Sequence, residues 1–215
     1  MKITPKQKIL PPVMMGTAGH VDHGKTSLVR LLTGCETDRL KEEKDRGLSI
    51  NLGFAPCALS GERLVGIVDV PGHIDFIRNM VAGAASIDLL LLVIAADDGI
   101  MPQTVEHLQI IKTLSRPRLI VALTKIDLVD ADLVELATEE IGEFLSAQGF
   151  ADVPIVPMSN VTLDGISGLR DVIEENVSKL EQRVDERKFR MNVERRFTVK
   201  GMGTVATGIP VSGAL

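Results

Sequence analysis

One stretch of this chain has the residue types and spacing to hold a phosphate: Gly19-His20-Val21-Asp22-His23-Gly24-Lys25-Thr26. It follows the apolar run Val13-Met14-Met15-Gly16-Thr17 and precedes the helix-like run Ser27-Leu28-Val29-Arg30-Leu31-Leu32. That is a P-loop in the context it needs: a strand, a glycine-bounded loop and a helix. Gly19 and Gly24 let the backbone curl so that successive N–H groups face phosphate oxygens. The helix opening at Lys25 adds the positive end of its dipole. Lys25 supplies a full charge to the outer phosphates, and the Thr26 hydroxyl is placed to ligate Mg²⁺. Ser27 belongs with the candidate nucleotide contacts. Two plainer readings compete: an ordinary glycine turn, or a metal site built from His20, Asp22 and His23. A transition-metal site wants three or four converging ligands, and only His73 and His107 remain as further histidines.

Two further stretches could serve the same ligand. Asp69-Val70-Pro71-Gly72-His73 ends an apolar run. An aspartate there reaches Mg²⁺ through water, and the Gly72 N–H can meet a γ-phosphate and sense its presence. Thr124-Lys125-Ile126-Asp127 follows Leu119-Ile120-Val121-Ala122-Leu123. The Asp127 carboxylate can accept from guanine N1–H and the exocyclic amine, a donor pair that adenine lacks. The Lys125 stem can cover the base. Ser159-Asn160 could add backbone donors to the guanine carbonyl, a weak signal by itself. Alone, each of these short patterns also reads as a turn or a strand end.

Elements must bring these three stretches together. Strand-like runs fall at 13–17, 53–59, 63–69, 88–96, 118–123 and 153–157, and helix-like runs at 25–34, 73–84, 103–114, 130–148 and 166–181. Ser60-Gly61-Glu62 is short enough for a hairpin turn. Elsewhere a helix separates strand from strand, so the sheet is expected to be mostly parallel with one antiparallel edge strand. Ligands of such α/β sheets bind at the carboxyl ends of the strands, where every motif above falls. Glu36 to Asn51 is rich in charge and reads either as a solvated face or as a nucleotide-sensing loop. Near residue 182 the pattern changes to a charged linker, 182–188. A period-two run, Phe189, Met191 and Val193, and a glycine-broken β pattern from Phe197 to Val205 follow. The expected organisation is a tail at 1–12, a nucleotide-binding domain at 13–181, the linker, and an incomplete β domain at 189–215.

Composition narrows the class. Of 215 residues 45% are hydrophobic but only 3% aromatic, with no Trp or Tyr, so Leu, Ile, Val, Ala and Met must build the core. The net charge of −5 argues against a surface that coats nucleic acid non-specifically. Two cysteines, Cys35 and Cys57, give no disulfide framework and suit a reduced, cytoplasmic setting. Met1 to Pro12 lacks the apolar core of a signal peptide. The greasiest run, Ile87 to Ala96, carries Asp88 and falls far short of the ~20 residues that span a bilayer. It reads as a buried parallel strand, and no membrane partner is expected.

Gly19–Thr26, Asp69–Gly72 and Thr124–Asp127 together resemble the GTP-binding domain of translational GTPases. The forms G-H-V-D-H-G-K-T and D-V-P-G-H are those of the elongation factor Tu group. Thr37 to Phe54 resembles the compact switch of the bacterial selenocysteine-specific elongation factors. Thr124 stands where elongation factor Tu has Asn and where those factors also use Thr. Phe197 to Gly208 is similar to the start of their second, β-barrel domain. The resemblance implies a P-loop GTPase fold followed by the truncated start of a β-barrel. It implies GTP and GDP as ligands with Mg²⁺, which Thr26, Ser49 and Asp69 would hold. Ser49 aligns with the switch threonine, a departure that keeps the hydroxyl and loses the methyl. His73 aligns with the histidine that orients the attacking water, and Lys25 joins it as a catalytic residue. Val21 and Leu48 align with an apolar gate, and Asp22 with a carboxylate near the β,γ-bridge. No arginine finger is evident, so turnover is expected to be slow and ribosome-triggered. Implied partners are selenocysteinyl-tRNA, the ribosome, and an mRNA hairpin gripped by C-terminal domains outside these residues. Two rivals stay open: a general aminoacyl-tRNA carrier like elongation factor Tu, and a nucleotide-binding fragment without biological turnover.

Overall fold

The computed structural model describes residues 13–37, 49–59, 65–72, 81, 87–180 and 188–212. The elements in chain order are β1 (Val13–Ala18), α1 (Lys25–Thr33), β2 (Gly53–Cys57), β3 (Val65–Asp69), β4 (Leu89–Ala95), α2 (Pro102–Leu114), β5 (Arg118–Thr124), α3 (Ala131–Ala147), β6 (Ile155–Pro157), α4 (Ile166–Ser178), β7 (Arg190–Val199) and β8 (Gly203–Ser212). A 3-10 turn, Ile126–Leu128, lies between β5 and α3. The first six strands form one sheet in the order β2-β3-β1-β4-β5-β6. β2 runs antiparallel to β3, and every other neighbouring pair is parallel. This is the mostly parallel sheet with one antiparallel edge strand that the alternation of runs implied. Pro56 sits in β2, where an edge strand tolerates a missing N–H donor.

β4 shows why the sheet holds together. All seven of its residues are buried. Leu90, Leu92 and Ile94 join the core beneath α2 and α3, with Leu108, Ile111, Ile141 and Leu145. Leu89, Leu91 and Val93 join the opposite core, with Leu28, Leu32, Leu169 and Ile173 of α1 and α4. A strand buried on both faces cannot alternate in polarity, which explains its unbroken apolar run. Truncating a wholly buried Leu such as Leu91 costs about 2–5 kcal/mol.

Element ends follow local chemistry. Gly34, in the left-handed region at φ 72°, closes α1. Pro102 opens α2 at its first turn. Asp130 caps α3, its side chain accepting from the Leu133 N–H at 2.9 Å, so the helix starts one residue after the predicted 130. α4 ends at Ser178 rather than 181, and β6 is only Ile155–Pro157 of the predicted 153–157. The predicted helix 73–84, the turn at Ser60-Gly61-Glu62, the tail at 1–12 and most of the linker lie outside the described residues.

β7 and β8 form a separate antiparallel pair, with register shifts at Arg190/Met191 and Val193/Arg195. These strands resemble the start of a barrel. Val193, Phe197 and Met202 are exposed. No described helix is long and apolar enough to cross a membrane.

Candidate nucleotide-binding site

The loops after β1 and β3 meet at one cleft, lined by Val21, Asp22, Gly24, Lys25, Thr26, Ser27, Ser49 and Gly72; Thr124, Lys125, Asp127, Ser159 and Asn160 are not among its lining. The loop after β1 needs unusual backbone to make its turn. Asp22 has φ 64° and Gly24 φ 88°, both left-handed. A Cβ on Gly24 would also lie 2.6 Å from the Asn160 amide nitrogen. Gly72 reaches the same cleft from β3, and a Cβ there would come within 2.6 Å of Lys25 Nζ. A larger residue at either place would displace the groups that the loop presents.

Lys25 is buried and its ammonium donates to the His20 carbonyl. Burial lowers its pKa to about 8, against the pull of the Asp69 and Asp22 carboxylates. A phosphate beside it would supply the missing counter-charge. Thr26 Oγ1 lies 3.0 Å from Ser49 Oγ, so the start of α1 and residue 49 meet through two hydroxyls. Asp69 is buried at the end of β3, and both its oxygens accept from threonines, Thr17 and Thr37, at 2.8 Å each. Two hydroxyls with a nearby carboxylate form a hard oxygen set. That set suits Mg²⁺, which keeps waters and phosphate oxygens among its ligands. Among the described residues no cluster of His, Cys, Asp and Glu could hold a metal, so the histidine-based metal reading gains no support. His23 instead is fully buried, with Nδ1 3.4 Å from the Val93 carbonyl. Its Nε2 is 3.6 Å from Asp98, too long for a hydrogen bond. Burial lowers its pKa to about 4, which keeps the ring neutral. His20 stacks edge-on against it at 5.2 Å.

The base side is built differently. The Thr124 hydroxyl is buried and donates to the His23 carbonyl at 2.8 Å, with the Ile94 carbonyl at 3.3 Å. It therefore ties β5 to the phosphate loop. Lys125 takes a left-handed φ of 58°, and its ammonium lies 3.3 Å from both Asp97 and Asp98. Asp127 is exposed in the 3-10 turn. Asn160 donates to the Gly24 carbonyl at 3.2 Å, while its buried Oδ1 has no hydrogen-bond partner among the described residues. The Ser159 N–H is committed to the Asp164 carbonyl, and its hydroxyl accepts from the Val161 and Thr162 N–H groups. That leaves Ser159 shaping its own turn. His73 and Leu48 lie outside the described residues.

Four supporting residues carried no local signal. Gln103 and His107, one turn apart on α2, accept from the loop N–H groups of Val21 and Gly19 at 3.3 Å. Thr17 and Thr37 hold Asp69. The sequence separations of the α2 contacts, 82 and 88 residues, hide them from any motif.

The family model for the elongation factor Tu GTP binding domain matches residues 11–179. The chain belongs to this family of translational GTPases. The selenocysteine-specific elongation factor of Desulfomicrobium baculatum is 52% identical over 204 residues, which cover 95% of this chain and 32% of that protein. The chain thus spans about a third of the length of such relatives. The crystal structure of a bacterial selenocysteine-specific elongation factor matches with a TM-score of 0.89 at 42% identity, over 95% of this chain and 35% of the other. Translation elongation factor SelB from Methanococcus maripaludis, in complex with the GTP analogue GppNHp, matches with a TM-score of 0.83 at 29% identity, over 96% of this chain and 43% of the other.

Proposed function

We propose that this chain binds GTP with Mg²⁺, hydrolyses it to GDP and phosphate, and is the nucleotide-operated part of a factor that delivers selenocysteinyl-tRNA to the ribosome in the cytoplasm. The observation that carries the reading is the meeting of Thr26 and Ser49 in the cleft that Lys25 also lines. It joins the phosphate loop to a segment whose position a γ-phosphate could control. Similarity to the selenocysteine-specific factors supports the choice of tRNA.

Each residue has a part in this reading. The loop N–H groups of Asp22 to Thr26, Lys25 and the start of α1 grip the phosphates, while those of Gly19 and Val21, expected from the sequence to join them, are held by His107 and Gln103 and shape the loop. Thr26, Ser49 and Asp69 would hold Mg²⁺, and the bound ion would neutralise charge developing on the phosphates. Gly72 senses the γ-phosphate, and His73 orients the attacking water. Val21 and Leu48 keep bulk water from the reaction. Asp127 reads the guanine edge and Lys125 covers the base. Residues 13–181 are the nucleotide-binding domain, 182–188 a linker, and 189–215 the start of a barrel completed elsewhere in a full-length factor. Parts further along such a factor would grip the mRNA hairpin.

The test uses a full-length factor containing this chain. GTP and GDP should bind and ATP should not, and ribosomes should stimulate hydrolysis. Selenocysteinyl-tRNA should be protected from deacylation where ordinary aminoacyl-tRNA is not. His73→Ala should keep GTP affinity and lower stimulated hydrolysis by roughly 10²- to 10⁴-fold. Equal protection of both tRNAs would replace the selenocysteine role with general tRNA carriage. Equal affinity for ATP and GTP would sink the nucleotide assignment.

A further inference from the structure

Asp69 is gripped from two sides, and only one grip comes from the sheet. Oδ1 accepts from Thr17 of β1 at 2.8 Å. The Thr17 oxygen in turn accepts from the Val70 N–H at 3.0 Å, which leaves its proton directed at the carboxylate. Oδ2 accepts from Thr37 at 2.8 Å. Thr37 is not in a regular element. It follows α1 and leads into the charged segment that carries Ser49. All three side chains are buried. One hydroxyl would leave a carboxylate free to turn about its Cβ–Cγ bond; two on opposite oxygens fix its plane. Each oxygen still has a lone pair for a water.

The far end of that segment returns to the same place. Gly53 opens β2 and pairs in register with Asp69. A Cβ on Gly53 would lie 2.5 Å from Thr37 Cβ and 3.2 Å from Asp69 Cβ. Residues 37 and 53 therefore meet over one carboxylate. Ser49 lies 3.0 Å from Thr26.

We infer that Thr37 is a positioning residue for the Mg²⁺ side of the site: its hydroxyl fixes the Asp69 carboxylate and ties the backbone after α1 to it. This rests on the Mg²⁺ and nucleotide reading above. The orientation of the carboxylate and the placing of the backbone at residue 37 then share one hydrogen bond, which a purely packing role would not need. The methyl of Thr37 serves packing against Gly53; the hydroxyl serves Asp69.

The two roles separate in a serine and alanine pair, since both lose the methyl and only serine keeps the hydroxyl. Release of a fluorescent GDP analogue from the 215-residue chain is measured against Mg²⁺ concentration. Thr37→Ala should raise the Mg²⁺ concentration that half-slows release by roughly tenfold, the effect of one hydrogen bond to a charged group. Thr37→Ser should stay within about twofold of the wild type, and release in EDTA should be the same in all three. Thr37→Val, which keeps the volume and drops the hydroxyl, should behave as alanine and replaces it if alanine does not fold. Equal Mg²⁺ midpoints for the serine variant and either hydroxyl-free variant would overturn the inference. Wild-type release indifferent to Mg²⁺ would instead overturn the Mg²⁺ reading, and this inference with it.

Discussion

In the proposed site the phosphate end and the base end are made by opposite means. At the phosphate end Thr17, His23, Lys25 and Asp69 are all buried, and backbone groups are held by side chains from α2 and β5. At the base end Asp127 is exposed and neighbouring Leu128 is 64% exposed. Lys125 is fixed mainly by two surface carboxylates. A buried cation such as Lys25 is uncomfortable until a phosphate arrives, so the fold must hold it in place beforehand. An exposed carboxylate such as Asp127 costs little while it is hydrated. It gains selectivity only when a base covers it, because a base without the matching donors then leaves it unpaired. The phosphate end should therefore carry affinity and the base end choice.

Lys25→Ala should break the phosphate end with the largest effect. Losing two or so charge-assisted bonds predicts a fall in GDP affinity of about 1000-fold. Preference for guanine over adenine should survive in what binding remains. Calorimetry with GDP and ADP checks both statements, and a matching loss of base preference would mean that the two ends are not separable. Asp127→Asn is the complementary break. GDP affinity should fall roughly 100-fold, while xanthosine diphosphate should gain, because an amide can donate to its 2-oxo group. If xanthosine diphosphate binds no better than to the wild type, Asp127 does not read the base edge.

The same contrast decides what could be read in advance. The phosphate loop, the unbroken apolar run of β4 and the acidic strand ends are local patterns, so the mostly parallel sheet with its one antiparallel edge strand was legible from them, while the strand order was not. The 3-10 turn at Ile126–Leu128 has no period of its own. Gln103, His107, Thr17 and Thr37 hold the site through contacts that exist only once the sheet has formed. Ser159 sits beside the cleft in sequence logic, yet its donor and acceptor are spent within its own turn. Thr124 lies within a motif that points at the base, but its hydroxyl faces the other end.

Buried histidines should make the phosphate end acid-labile. Burial, aided by Lys25 and His20, lowers the His107 pKa to about 4, and His23 falls to about 4 by burial as well. Both are below the ordinary histidine value of 6.5, so the unfolded chain takes up protons first as pH falls. The stability they allow is present above 6.5 and is lost between 6.5 and 4, with a slope of about 1.4 kcal/mol per pH unit for each ring. Denaturant melts at pH 7 and pH 5 measure the loss. His107→Gln, which keeps an acceptor for Gly19, should remove about one proton from that slope. An unchanged slope would show that His107 titrates alike in both states.

Thr124 is where the two ends touch, and it should give the smallest effect with the most to say about them. Its hydroxyl hangs the His23 carbonyl from the strand that also carries Lys125 and Asp127. Thr124→Val keeps the shape and removes the donor, leaving the buried His23 carbonyl one partner short. GDP affinity should drop by about fivefold, the scale of one neutral hydrogen bond. The informative quantity is the coupling. If the ends act independently, the losses from Lys25→Ala and Asp127→Asn should add within about 0.5 kcal/mol in the double variant. If Thr124 transmits the position of the base loop to the phosphate loop, those losses should fail to add in the wild type and add once Thr124→Val is present. Additivity in both backgrounds would leave Thr124 as a local brace and the two ends as separate devices in the proposed site.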